Sequence, residues 1–187
     1  MNQNAFFESF CNTNSIVKII INNQQFEVDK KVIERSGKGG ILDILFKQKA
    51  GTIMKGESII LHGDEEKARQ LKEYISFIEA NQIYVQNLSL YEVAQKVMDL
   101  ICCGVDLGEA LDYFNAKDGS GDVVGEILCI MGESFATNFV QADQQGTWQK
   151  MVYEGLQWAF ANRPEQIQNN SDLLSIIYQK YNGFKDI

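Results

Sequence analysis

His62 is the only histidine among 187 residues, so any Ser–His or Cys–His mechanism must use it. It stands beside Gly63 at the end of a β-branched run, where a surface or capping role is the default, and nothing pairs it with a particular cysteine. The four cysteines are Cys11, Cys102, Cys103 and Cys129. No two have C-x-x-C spacing, and the neighbours Cys102 and Cys103 seldom bridge each other because the ring is strained. A histidine-based metal site lacks ligands, and a four-cysteine site does not suit this spacing. Asp118, Gly119, Ser120, Gly121 and Asp122 have the oxygen-rich, glycine-containing composition of a calcium loop. That chemistry needs Gly at the sixth position and a bidentate Glu at the twelfth. With Gly121 sixth, Ala116 is first and Ile127 twelfth, while Glu126 falls one residue short, so a solvent-exposed turn is expected. Gly37, Lys38, Gly39 and Gly40 lack the Lys-Ser/Thr that follows a phosphate-binding loop. No catalytic constellation emerges, and the expectation is a non-catalytic chain with no metal and no cofactor.

Composition narrows the partners. A formal net charge of -8 and a pI near 4.7 argue against the phosphate backbone of nucleic acid or an anionic membrane as the main target. A basic protein surface is compatible with that charge. Hydrophobic content of 45 % and charged content of 22 % are those of an ordinary soluble globular protein. Residues 1–14 carry neither a basic segment nor an apolar run suited to a signal peptide, and no later run approaches a membrane span. Buried thiols in a reducing compartment suit these cysteines, so a cytoplasmic location is expected.

The elements that would carry any function centre on residues 89–115. Ser89 and Glu92 form a capping-box pattern. Leu90, Val93, Ala94, Val97, Met98 and Ile101 then recur at three- and four-residue spacing on one helical face. Gly104 is expected as a left-handed cap. Asp106 restarts a second helix carrying Leu107, Ala110, Leu111 and Phe114. Two helices this short cannot bury themselves, so they must pack on a domain or on a partner.

Upstream, residues 1–15 hold Phe6, Phe7 and Phe10 in a short helix or a loose lead. Residues 16–21 read as a strand, Asn22 and Asn23 as a turn, and residues 25–28 as the return strand. Asp29 caps a helix reaching Arg35, and a second helix covers 41–48. Residues 58–62 form a short strand, and Asp64, Glu65 and Glu66 open a helix running to about Ala80. Ile83, Tyr84 and Val85 suggest a further strand. Downstream, the spacing predicts one helix over 124–139, a polar loop over 141–146 and a helix over 147–162. Pro164 marks an early helical position and Ser171 the cap of a last helix, ended by Gly183. Trp148 joins the core stripe of helix 147–162. Trp158 falls beside that stripe, as a binding anchor if exposed or a packing residue if another helix covers it.

Hairpin, helix, helix, strand, helix is an order that resembles the BTB/POZ fold, and above all the SCF ubiquitin-ligase adaptors and elongin C. The likeness rests on Val17-Lys18-Ile19, Phe26-Glu27-Val28-Asp29, Val32-Ile33 with Ser36, and Ile59-Ile60-Leu61 before an acidic cap. It continues through Glu79-Ala80-Asn81 and the Gly104, Glu109, Phe114, Asn115 spacing, and so covers residues 16–115. The resemblance implies an α+β protein: a BTB/POZ-like module over 1–116, followed by a helical C-terminal module over 123–187. It implies an adaptor that joins an F-box-type receptor to a cullin. An F-box-like helix would meet the surface from Leu100 to Asn115, with Ile101, Leu111 and Phe114 as apolar contacts, Glu109 offering charge at the rim and Gly104 setting the helix angle. Ala80, Asn81 and the β-rich face would meet a cullin or a second BTB module. SCF adaptors insert a linker and an extra helix where this chain has only residues 82–88. The appended helices either cover the receiving surface or extend it. Two alternatives stand beside this one: a BTB-type homodimer, and a pathogen-encoded mimic or effector that occupies host ligase components.

Overall fold

The computed structural model describes residues 16–35, 41–49, 52–53, 57–80 and 88–181. It divides into two compact units, Met1–Ala80 and Asn81–Ile187. The organising helix pair belongs to the second, so the expected division at 116–123 falls inside that unit.

In the first unit, β1 (Ile16–Ile21) and β2 (Gln24–Asp29) pair antiparallel, with Val17 opposite Val28 and Ile19 opposite Phe26. Asn22 and Asn23 connect them with φ of 47° and 60°. A two-residue turn with both central residues left-handed matches the twist of the strands, and Asn tolerates that conformation. Val17, Ile19 and Ile21 point inward while Ile16 and Lys18 are exposed. Asp29 Oδ1 accepts from the Lys31 N–H at 2.9 Å, starting α1 (Lys30–Arg35). After α2 (Ile41–Gln48) the chain returns as β3 (Ile59–Leu61), parallel to β1 with Ile59 beside Ile19. The sheet order is β2-β1-β3. A parallel pair needs a crossover, and α1 and α2 supply it. Asp64 caps α3 (Glu65–Glu79) by accepting from the Lys67 N–H at 3.0 Å. Ala68, Leu71, Tyr74 and Ile75 form its buried stripe. The expected order of elements is therefore present.

The second unit is helical. The capping box of α4 (Leu90–Cys102) is complete: Ser89 N–H donates to Glu92 Oε2 at 2.8 Å, and Glu92 N–H to Ser89 Oγ at 3.3 Å. Gly104 follows with φ of 87°. Its N–H reaches the Ile101 carbonyl and that of Val105 reaches Leu100, which closes the helix end. Asp106 Oδ1 caps α5 (Leu107–Tyr113), accepting from Gly108 and Glu109 N–H at 2.7 and 3.4 Å.

The expected helix 124–139 is two helices, α6 (Ser120–Ile130) and α7 (Glu133–Ala142). Met131 is extended (ψ 137°) and Gly132 opens α7, so the apolar periodicity runs across a break. The expected turn at 118–122 gives way to α6 from Ser120 onward. α8 (Gln149–Asn162), α9 (Pro164–Gln168) and α10 (Ser171–Lys180) complete the unit, with Pro164 in the first turn of α9. Asn170, not Ser171, caps α10: its Oδ1 accepts from the Leu173 N–H at 3.4 Å. α6 crosses α8 where two glycines meet. A Cβ on Gly125 would fall against Trp158 Cε3 and 2.8 Å from the Gly155 carbonyl oxygen, and one on Gly155 would lie 2.6 Å from Val124 Cγ1. Side chains at either position would force the helices apart. The described residues are thus α+β, a three-stranded sheet in the first unit and otherwise mostly helices.

Candidate partner-binding site

The α4–α5 hairpin presents its apolar stripe, and the chain itself covers it. Leu100 and Leu111 are 0 % exposed, Phe114 3 % and Ile101 6 %. α4 packs on α6, whose Val123, Val124, Ile127 and Leu128 are also buried. Of the two alternatives for the appended helices, covering is the one observed. Those four residues are core of the second unit, each offering no free surface to a partner. Gly104, Glu109 and Asn115 are exposed, and Asn115 is left-handed with φ of 51°. Ala80 is half-buried. Asn81 lies outside the described residues, as do Phe6, Phe7, Phe10, Cys11, the glycines at 37–40, the expected strand at 83–85 and Gly183. The hairpin residues come together as a core cluster with an exposed rim, whereas Ala80 belongs to the other unit.

Trp158 closes over Gly125 and is a packing residue. His62 is exposed. Burial pushes the Cys103 thiol up to about 12, and burial together with the Glu126 carboxylate pushes Cys129 up to about 11. Both are therefore protonated thiols near neutrality, unsuited to nucleophilic work. Cys102 is exposed. Among the described residues no group of three or more His, Cys, Asp or Glu side chains is placed to hold a metal ion. Nor is any helix there long and apolar enough to cross a membrane.

A buried polar hub escaped the sequence. Asp143, 2 % exposed, accepts four hydrogen bonds. Its Oδ1 takes Thr147 N–H at 2.8 Å and Thr147 Oγ1 at 3.2 Å, and its Oδ2 takes Trp148 N–H at 3.1 Å and the Tyr181 hydroxyl at 2.9 Å. The Trp148 indole N–H donates to Asp106 Oδ2 at 2.9 Å, and its ring packs against Phe139 with centroids 5.1 Å apart. The available signal was an Asp a few residues before a helix, a common way of satisfying orphan N–H groups. Its link to Tyr181 spans 38 residues and leaves no local trace. Glu126 is the other buried carboxylate of note, with the Arg163 guanidinium 3.6 Å from its Oε2.

No family model, no curated protein and no solved structure matches the chain.

Proposed function

We propose that the chain is a non-catalytic protein–protein adaptor of the SCF-adaptor kind, linking an F-box-type receptor to a cullin. The observation that carries this is the element order of the first unit: an antiparallel hairpin, two crossover helices, a parallel third strand and an acid-capped amphipathic helix. With Leu100, Ile101, Leu111 and Phe114 packed inside the second unit, the partner in this reading meets the exposed rim at Gly104, Glu109 and Asn115. The cullin side falls to Ala80, Asn81 and the sheet. Affinity capture from eukaryotic lysate, read by mass spectrometry, compares wild type with Glu109→Lys. Glu109 is exposed, so reversing its charge leaves the core intact, while like charges across an interface disfavour the complex. Recovery of F-box proteins and cullins by wild type, with F-box proteins lost from the variant, supports the adaptor. Their absence from the wild-type capture overturns it.

One observation favours a second reading, a homodimer. Ile60 is 68 % exposed and Ile16 44 %, and both share the outer face of the sheet with Ile20, which is the neighbour of Ile60 in the register. Light scattering of wild type against Ile60→Asp tests it: a dimer that the substitution dissociates supports this reading, and a wild-type monomer excludes it.

A further inference from the structure

We propose that Tyr181 is a C-terminal latch whose engagement is transmitted through Asp143 and Trp148 to the Asp106 cap of α5. The path is continuous. Tyr181 follows α10, and its hydroxyl donates to Asp143 Oδ2 at 2.9 Å. The same oxygen accepts the backbone N–H of Trp148 at 3.1 Å. From there the Trp148 indole N–H reaches Asp106 Oδ2 at 2.9 Å. The other oxygen of Asp106 holds two N–H groups in the first turn of α5, those of Gly108 and Glu109.

Three members of this chain, Asp143, Trp148 and Tyr181, are each 2 % exposed, so water does not replace a lost partner. Hydrogen bonds to a charged acceptor in such surroundings are strong, and neighbouring bonds polarise one another. Burial, and after it the adjacent Asp143 carboxylate, drive the Tyr181 hydroxyl far above its ordinary ionisation, so it stays a donor. Trp148 is the pivot. Its backbone is fixed from the Asp143 side and its ring from the Asp106 side, so a shift at one carboxylate moves the group bonded to the other.

The functional consequence rests on the adaptor reading, because α5 carries Glu109: the latch sets how firmly the first turn of the rim helix is held. The coupling itself is measured without any partner, so its failure is distinct from failure of that reading. The experiment uses the full chain as wild type, Tyr181→Phe, Asp106→Asn and the double variant. Each is unfolded in urea, and the indole N–H signals are followed by nuclear magnetic resonance. Trp148 and Trp158 are the two tryptophans, so Trp158 serves as the internal control. Tyr181→Phe removes one hydroxyl and keeps the ring, which preserves the fold. The expected result is a displaced Trp148 indole signal with Trp158 unmoved. The unfolding constants of the four chains should depart from multiplicativity by more than about twofold, the scatter normal for independent sites. An unmoved Trp148 signal, or a cycle multiplicative within about twofold, overturns the proposal.

Discussion

Substituting Gly155 by Ala tests the α6–α8 crossing most sharply, because two effects of known size oppose each other. In an open helix, Gly→Ala stabilises by about 1 kcal/mol. Here the new methyl would lie 2.6 Å from Val124 Cγ1 and 3.0 Å from the Gly125 backbone nitrogen. Val124 is fully buried and a backbone nitrogen has no rotamer to change, so neither can retreat. Overpacking of this kind costs about 1–3 kcal/mol, and contact with backbone puts it at the upper end. The overpacking wins, and the expected net loss is about 2 kcal/mol. For a unit of this size that lowers the melting temperature by roughly 8–16 °C. Gly125→Ala meets the Gly155 carbonyl oxygen and the Trp158 ring, and should cost as much. Both methyls push on one contact, so the double variant should lose less than the sum of the two. Gly132→Ser is the control: a Cβ there meets nothing within 4 Å, and the hydroxyl can cap α7, which has no side-chain cap. Thermal unfolding followed by far-ultraviolet circular dichroism reads all four. A Gly155→Ala chain that melts at or above the wild-type temperature refutes the close crossing.

Further outcomes follow from the buried hub, the α4 cap and the thiols. Asp143→Ala strands four donors, three of them on Trp148 and Thr147, and should destabilise by about 4 kcal/mol; a loss of less than about 1 kcal/mol in urea unfolding contradicts the hub. Ser89→Ala should cost about 1 kcal/mol. The Ser89 hydroxyl and backbone N–H hold the Glu92 carboxyl below its ordinary 4.5. The stabilisation this gives is therefore present above 4.5 and disappears as acid carries the pH down through the folded value, a dependence that Ser89→Ala should flatten. Alkylation with iodoacetamide, mapped by peptide mass spectrometry, should mark exposed Cys102 long before Cys103 or Cys129. Equal labelling of the three in the folded chain contradicts the burial. Because the folded thiols titrate above their ordinary 9.0, their contribution to stability is full below 9.0 and is lost as pH rises toward about 12 for Cys103 and about 11 for Cys129.

Local signals in the sequence carried much of the architecture. Asn22 and Asn23, the Ser89–Glu92 box, Gly104 and Asp106 each satisfy backbone groups with neighbours a few residues away, so spacing alone reveals them. The break at Met131 and Gly132 was hidden because Ile127, Leu128, Met131, Phe135 and Phe139 keep a helical period across it, while the backbone turns to let α7 pack with α10. Ser171 and Asn170 are both good caps, and only the backbone decides between them. The candidate site was legible as an apolar stripe that needed a cover. Its spacing could not tell whether α6 or a partner provides that cover, because burial by either uses the same residues. The Asp143 hub joins residues far apart in sequence, and no periodicity records such a pairing.

The adaptor claim is tested most directly by titrating the purified full chain into labelled peptides spanning F-box helices, and into a purified cullin N-terminal fragment, by fluorescence anisotropy. Saturable binding at about 1 μM or tighter is expected, weakened at least tenfold by Glu109→Lys in the F-box arm and unchanged by it in the cullin arm. Anisotropy that stays flat to about 100 μM in both arms, with the chain folded by circular dichroism, contradicts it.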